Sequence, residues 1–221
     1  FFTLSGFLVG RLILDKMDRA NFFTVFYVRR FCRTLPVYVF CVVLVFGCIR
    51  YFDGAPWLDL NHAFPLWSYL TFTQNFFMIS TDSIGPHWLA PTWTLTVEEH
   101  FYLLAPALFI LTPRRHLLKA LVAGALLSVA FRAWVFYTGQ MPVMAALVML
   151  PGNADALFCG LIAGVVYKEN RVSWRHYDLA LRIAPLAALI GAIVLKLIDG
   201  RTGHLLDVFG MFLVSAGSAA F

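Results

Sequence analysis

Apolar residues run along this chain in long blocks, with charges gathered at the block ends rather than on one helical face. That pattern predicts helices apolar all round, as in a membrane span, not the one-sided stripe of a surface helix. Such blocks occupy residues 1–14, 35–49, 92–111, 117–137, 145–167, 179–198 and 204–221. A spanning helix takes about 20 residues, so the first block reads as the inner end of a longer helix. The stems of Arg33 and Arg50 snorkel to lengthen the second. Residues 66–79 differ: Ser68, Thr71, Thr73, Gln74 and Asn75 alternate with aromatics. A lipid-facing helix tolerates no such mixture, but a segment buried in protein does, which predicts a re-entrant or interfacial piece. The expected architecture is all-α, a polytopic transmembrane helix bundle with one re-entrant or interfacial segment.

Basic residues support that topology. If residues 66–79 do not cross, 13 of the 17 Lys and Arg fall on one side, leaving Arg50, Arg132, Lys196 and Arg201 on or toward the other. This is the asymmetry of the positive-inside rule, and it largely disappears if the segment crosses. Composition points the same way: 61% of the 221 residues are hydrophobic and 13% charged, against roughly 45–50% and about 25% in ordinary soluble chains. Disorder, a disulfide-rich secreted module and a nucleic-acid-binding domain are thereby excluded. The net charge of +5 reads as loop charge facing an anionic leaflet rather than as a footprint for nucleic acid. Short connections and the absence of repeats predict a single membrane-embedded domain over residues 1–221. With Phe1 in place of Met and an apolar stretch at each end, the expectation is an internal piece of a longer protein.

Polar side chains at membrane depth are costly and mark candidate sites. Asp155 sits deep in the block 145–167, where an unpaired carboxylate costs on the order of 3 kcal/mol. Arg132, on the preceding helix of an antiparallel hairpin, is its natural partner. The pair either fixes helix register or lines a polar pocket. A second group, Trp88, Trp93, Glu98, Glu99 and His100, gathers where the block 92–111 begins. Carboxylates near a helix start gain from the macrodipole, so capping competes with chemistry there. Successive helical residues point about 100° apart, which predicts that one of Glu98 and Glu99 faces a site and the other the interface. Third, Arg29 and Arg33 stand at i, i+4, a spacing suited to a phosphate and equally to an anchor at the membrane surface. Cys32, Cys41, Cys48 and Cys159 lack the spacing of a zinc site, and no metal is expected.

Three segments in order, FFTLSGFLVG from Phe1, VRRFCRTLPVY from Val28 and WTLTVEEHFYLLAP from Trp93, resemble acyltransferase family 3, a family of integral-membrane acyltransferases. A looser fourth match is NADALFCGLIAG from Asn153. The resemblance implies transfer of an acyl group, often acetyl from acetyl-CoA as donor substrate with no bound cofactor, to a carbohydrate hydroxyl. Lipopolysaccharide, exopolysaccharide and peptidoglycan are the implied acceptors, and a bacterial inner membrane the implied location. Arg29 and Arg33 match the arginine pair implied to hold the donor. Trp93, Glu98 and Glu99 match the motif near the reaction centre, with Asp155 the further catalytic candidate and Arg132 the further substrate-binding one. Ser5 and Gly6 match a serine–glycine step. The family's catalytic histidine lies upstream of FFTLSGF, so these residues alone are expected to be inactive. His100 stands where the family has Gln, and Thr94 where it has Ser. A transporter or flippase for a glycan precursor is the competing reading, for which an inverted repeat would speak.

Overall fold

The computed structural model describes residues 1–52, 64–168, 184–194, 197, 204 and 206–220. All regular structure among them is helical. Among the described residues, four helical stretches are long and apolar enough to cross a bilayer: Phe22–Tyr51, His87–Leu111, Arg114–Thr138 and Val143–Lys168. The protein is an all-α integral membrane protein. Its described residues form two compact units, one made of Phe1–Met17 with His100–Phe221 and the other of Asp18–Glu99.

In the first unit, α1 (Phe2–Lys16) packs along α8 (Leu150–Lys168). The reason is legible residue by residue. Gly6 and Gly10 on α1 meet Leu157 and Leu161 of α8, while Gly160 and Gly164 on α8 meet the α1 backbone around Thr3, Phe7 and Arg11. Both helices thus present glycines four apart, and each pair receives the backbone of the other, the small-residue packing that drives association where lipid removes the hydrophobic incentive. A Cβ on Gly6 would strike the Leu157 carbonyl, and one on Gly160 the Thr3 carbonyl. At the far end, Lys168 Nζ donates to the Leu14 carbonyl and to Asp15, both at 2.5 Å, capping the last turn of α1 with a cation. That hydrogen bond, helped by neighbouring positive charges, holds the Asp15 carboxyl below its usual value.

The helix α6 (Arg114–Thr138) lays Leu117, Leu121, Ala125, Ser128, Arg132 and Val135 against the unit's interior, steps of three and four that keep one face inward. Its other face shows Val122, Leu126, Leu127 and Trp134. Apolar on both faces, it suits lipid and would be an aggregation surface in water. The expected block 145–167 is broken: α7 (Val143–Val148) ends in the extended residue Met149, and α8 begins at Leu150. Pro151 has no N–H to continue the first ladder and fits the first turn of a new helix. Two shorter helices complete this unit, α9 (Ala184–Val194) and α10 (Met211–Ala220), the latter preceded by a π turn at Leu206–Gly210. They lie in the blocks expected at 179–198 and 204–221, of which the other residues, apart from Leu197, His204 and that turn, fall outside those described.

In the second unit, α2 (Phe22–Tyr51) is one continuous helix of 30 residues, about 45 Å long. The expected span began only after Arg33; instead Arg29, Arg30 and Arg33 stand on the helix itself, whose length exceeds the roughly 30 Å hydrocarbon core. Pro36 lies inside it. Residues 66–79 form two short helices, α3 (Leu66–Leu70) and α4 (Gln74–Thr81). At about 8 and 12 Å, neither reaches across a membrane. The unit ends in the first turns of α5 (Thr92–Leu111), whose later residues belong to the other unit.

Candidate functional site

The carboxylates of α5 are both inside. Glu98 is 5% and Glu99 8% exposed, so the expectation that one of them faces the interface does not hold. Neighbouring elements cover α5 over more than one face here, and two directions 100° apart are both occupied. One oxygen of each, Oε1, has no hydrogen-bond partner among the described residues. Facing Glu99 are the Arg30 guanidinium and the Thr34 hydroxyl of α2, together with the like charge of Glu98. Arg30 also lies over the Phe26 ring, 5.8 Å from its centre.

Arg29 and Arg33, by contrast, are exposed. Of the three arginines in the first half of α2, the one between them, Arg30, approaches the glutamates. A signal for this lay in the helical register: Phe22, Phe26 and Arg30 recur every four residues, and both phenylalanines are buried, so Arg30 shares their face. Trp93 is half-buried, and its carbonyl accepts from Asn75 Nδ2 at 3.2 Å. Trp88 is exposed, as an aromatic at a membrane interface would be.

In the sequence, the amides of Gln74 and Asn75 stand out only as polar residues unsuited to lipid. Gln74 is fully buried, and its Nε2 lies 3.4 Å from Tyr38 Oη, 3.4 Å from the Thr92 carbonyl and 3.3 Å from Thr92 Oγ1. No periodicity would single these amides out, because they stand at the start of an eight-residue helix whose neighbours are remote in sequence.

Arg132 and Asp155 form the expected pair in the first unit, completely buried. Arg132 Nη1 donates to Asp155 Oδ1 at 2.8 Å and to the Gly152 carbonyl at 2.5 Å; Nη2 donates to Oδ2 at 2.5 Å and to the Val208 carbonyl at 3.0 Å; Nε donates to the same Val208 carbonyl at 3.2 Å. A guanidinium has five N–H donors, and all five are engaged. Ser128 Oγ donates to the Pro151 carbonyl at 2.7 Å. Asn153 Nδ2 takes the carbonyls of Leu147, at 2.7 Å, and Met149, at 3.0 Å. The carbonyl of Leu147 is the one that Pro151 cannot serve. Three polar side chains thus satisfy the backbone around the α7–α8 break, where no water is at hand to do so. With no donor to spare, Arg132 fits the register-fixing reading of the pair better than the pocket reading.

Elsewhere in that unit, the Ser5 and Tyr102 hydroxyls are hydrogen-bonded to one another, which joins the serine of the early motif to the residue three beyond Glu99.

Comparison with known proteins places the chain among curated relatives. Over 156 residues the chain is 29% identical to peptidoglycan O-acetyltransferase OatA of Listeria monocytogenes serovar 1/2a, an alignment covering 64% of this chain and 25% of that protein. Over 128 residues it is 29% identical to an uncharacterized protein of Haemophilus influenzae, covering 52% of this chain and 49% of that one. The chain thus spans from about a quarter to half the length of these relatives. No solved structure matches. The family described as an acyltransferase domain matches residues 1–221 throughout, from the glycine-packed α1, through the paired glutamates of α5, to the end of the chain. The protein belongs to acyltransferase family 3.

Proposed function

We propose that this chain forms the membrane-embedded part of an acyltransferase that moves an acyl group, acetyl in the first place, from acyl-CoA to a hydroxyl of a cell-envelope glycan at a bacterial inner membrane. One observation carries the reading: two neighbouring carboxylates are buried at the start of a spanning helix, each with an oxygen that nothing in the described structure engages. Such groups are costly in apolar surroundings without a purpose. Relatedness to a peptidoglycan O-acetyltransferase supports the glycan acceptor.

The chemistry asked of the site is modest. The acceptor oxygen bonds to the acyl carbon as the carbon–sulfur bond of the thioester breaks, and the hydroxyl proton ends on the departing thiol. In this reading Glu98 accepts a hydrogen bond from the acceptor hydroxyl and orients it. Glu99, faced by Arg30 and Thr34, is the held member of the pair. Trp93 is the candidate N–H donor to the acyl oxygen as charge develops there. In this reading Arg29 and Arg33, exposed and one helical turn apart, bind the phosphates of CoA.

The test is mass spectrometry of the cell-envelope glycan from cells carrying Glu98→Gln in the full-length protein. Loss of acyl mass with normal protein levels is the expected result; full acylation removes Glu98 from the reaction. Alanine at both Arg29 and Arg33 is expected to raise the acetyl-CoA concentration required, and an unchanged requirement refutes their role.

A further inference from the structure

The segment between α3 and α4 is held with more care than a connection needs. Phe72 adopts a left-handed backbone, φ 56°, a conformation that costs a bulky residue of order 1–3 kcal/mol and persists only when its surroundings impose it. The surroundings here are specific. The Phe72 ring stacks on Tyr38 of α2, 4.9 Å between centres and 18° between planes. The Phe72 N–H and the Tyr38 hydroxyl both donate to the Tyr69 carbonyl, at 3.1 and 2.9 Å. Two residues later the chain delivers Gln74 and Asn75, and both amides reach the same place, the first residues of α5. Gln74 Nε2 spans Tyr38 and Thr92, while Asn75 Nδ2 binds the Trp93 carbonyl. Thr92 is itself turned back onto the Leu89 carbonyl at 2.6 Å. A helix start carries backbone groups without intrahelical partners and is free to fray or swing; here it is fastened from the side at two consecutive residues.

We propose that Gln74 and Asn75 are positioning residues, a two-point tether by which the strained α3–α4 break sets the placement of α5 and thereby of Trp93, Glu98 and Glu99. The inference rests on the acyl-transfer reading above and adds to it a cause for the geometry. Arg29 and Arg33, the residues proposed for the donor, are exposed and are not the groups that Gln74 and Asn75 engage. Misplacement of reacting groups by about 1 Å costs as much as 100-fold in rate, so the tether acts on turnover rather than on the requirement for donor.

The experiment uses the full-length protein in native membranes, with acetyl-CoA as donor and isolated cell-envelope glycan as acceptor. Gln74→Met keeps the volume and removes the amide. The expected result is a kcat lowered about 10- to 100-fold, with KM for acetyl-CoA within about twofold of the parent. Gln74→Glu, which retains the length and an oxygen but not the donating amide, is expected to stay low. Thr92→Val cuts one attachment at the other end while leaving Gln74 intact, and carries the test if Gln74→Met does not accumulate; its kcat is expected to fall in the same way. Parental kcat in either accumulated variant overturns the tether, and so does a loss expressed wholly as a raised KM for acetyl-CoA. Glu98→Gln assayed alongside separates the two claims. If it alone loses activity, the tether fails and the acyl-transfer reading stands; if the parent itself moves no acetyl from acetyl-CoA to the glycan, the acyl-transfer reading fails and takes the tether with it.

Discussion

Asp155→Asn tests what the buried pair does. The substitution keeps the side chain's shape but removes the charge facing Arg132 and turns an N–H₂ group toward a guanidinium that needs acceptors. Arg132 is fully buried, so it cannot rehydrate, and breaking a buried pair from one side costs about 3–5 kcal/mol. Against a typical total stability of about 5–15 kcal/mol, that is a large share. Removing both partners, Arg132→Leu with Asp155→Leu, abolishes the charge problem. It also strips the Val208 and Gly152 carbonyls of the bonds they receive from Arg132, a loss of about 1–3 kcal/mol where a buried acceptor is left unsatisfied. The double variant is therefore expected to be the more stable of the two, by up to about 4 kcal/mol. The assay is thermal unfolding of the detergent-solubilised protein, followed by size-exclusion chromatography. Should Asp155→Asn unfold like the parent while glycan acylation disappears, the carboxylate would belong to the chemistry and the structural reasoning would be wrong.

Gly160→Ala places a Cβ against the Thr3 carbonyl and is expected to cost about 1–3 kcal/mol by overpacking. Gly47→Ala, with nothing within 4 Å of the new atom, should leave the melting temperature unchanged or slightly raised; equal damage from both would refute the glycine interlock. Arg30→Gln leaves Glu99 buried beside the like charge of Glu98 and is expected to reduce acylation more than Arg29→Gln does, measured as acyl mass on the glycan. Between pH 7 and pH 5 the Asp15–Lys168 clamp should not weaken. The Asp15 carboxyl is held below its usual value by the Lys168 hydrogen bond, so its contribution is complete above the ordinary carboxylate pKa and is lost only as pH falls through the lowered one. A difference in melting between parent and Asp15→Asn that already shrinks between pH 7 and pH 5 would contradict this.

Much of the site was legible before any coordinates. A carboxylate deep in an apolar block demands a cation, and Arg132 on the adjacent helix was the one within reach of Asp155. The pair Glu98 and Glu99, beside Trp93, stood out for the same reason. The break between α7 and α8 could have been suspected from Pro151, yet the apolar run through it is unbroken, and composition alone joins what the backbone separates. Arg30 was hidden by its neighbours, because three arginines within five residues look alike until the helix is rotated into place.

Apolarity is a property each residue carries with it, so the sequence by itself determined that this chain lies in a membrane, which blocks of it are helical, and which polar groups need a reason to be there. Direction is not carried in that way. Whether Glu98 and Glu99 are both covered depends on what packs against α5 from two sides. Whether Arg30 or Arg29 meets them depends on the rotation of a 30-residue helix, and whether Gln74 reaches Thr92 depends on a left-handed turn at Phe72. These are outcomes of contacts between residues far apart along the chain, and only the tertiary structure decided them.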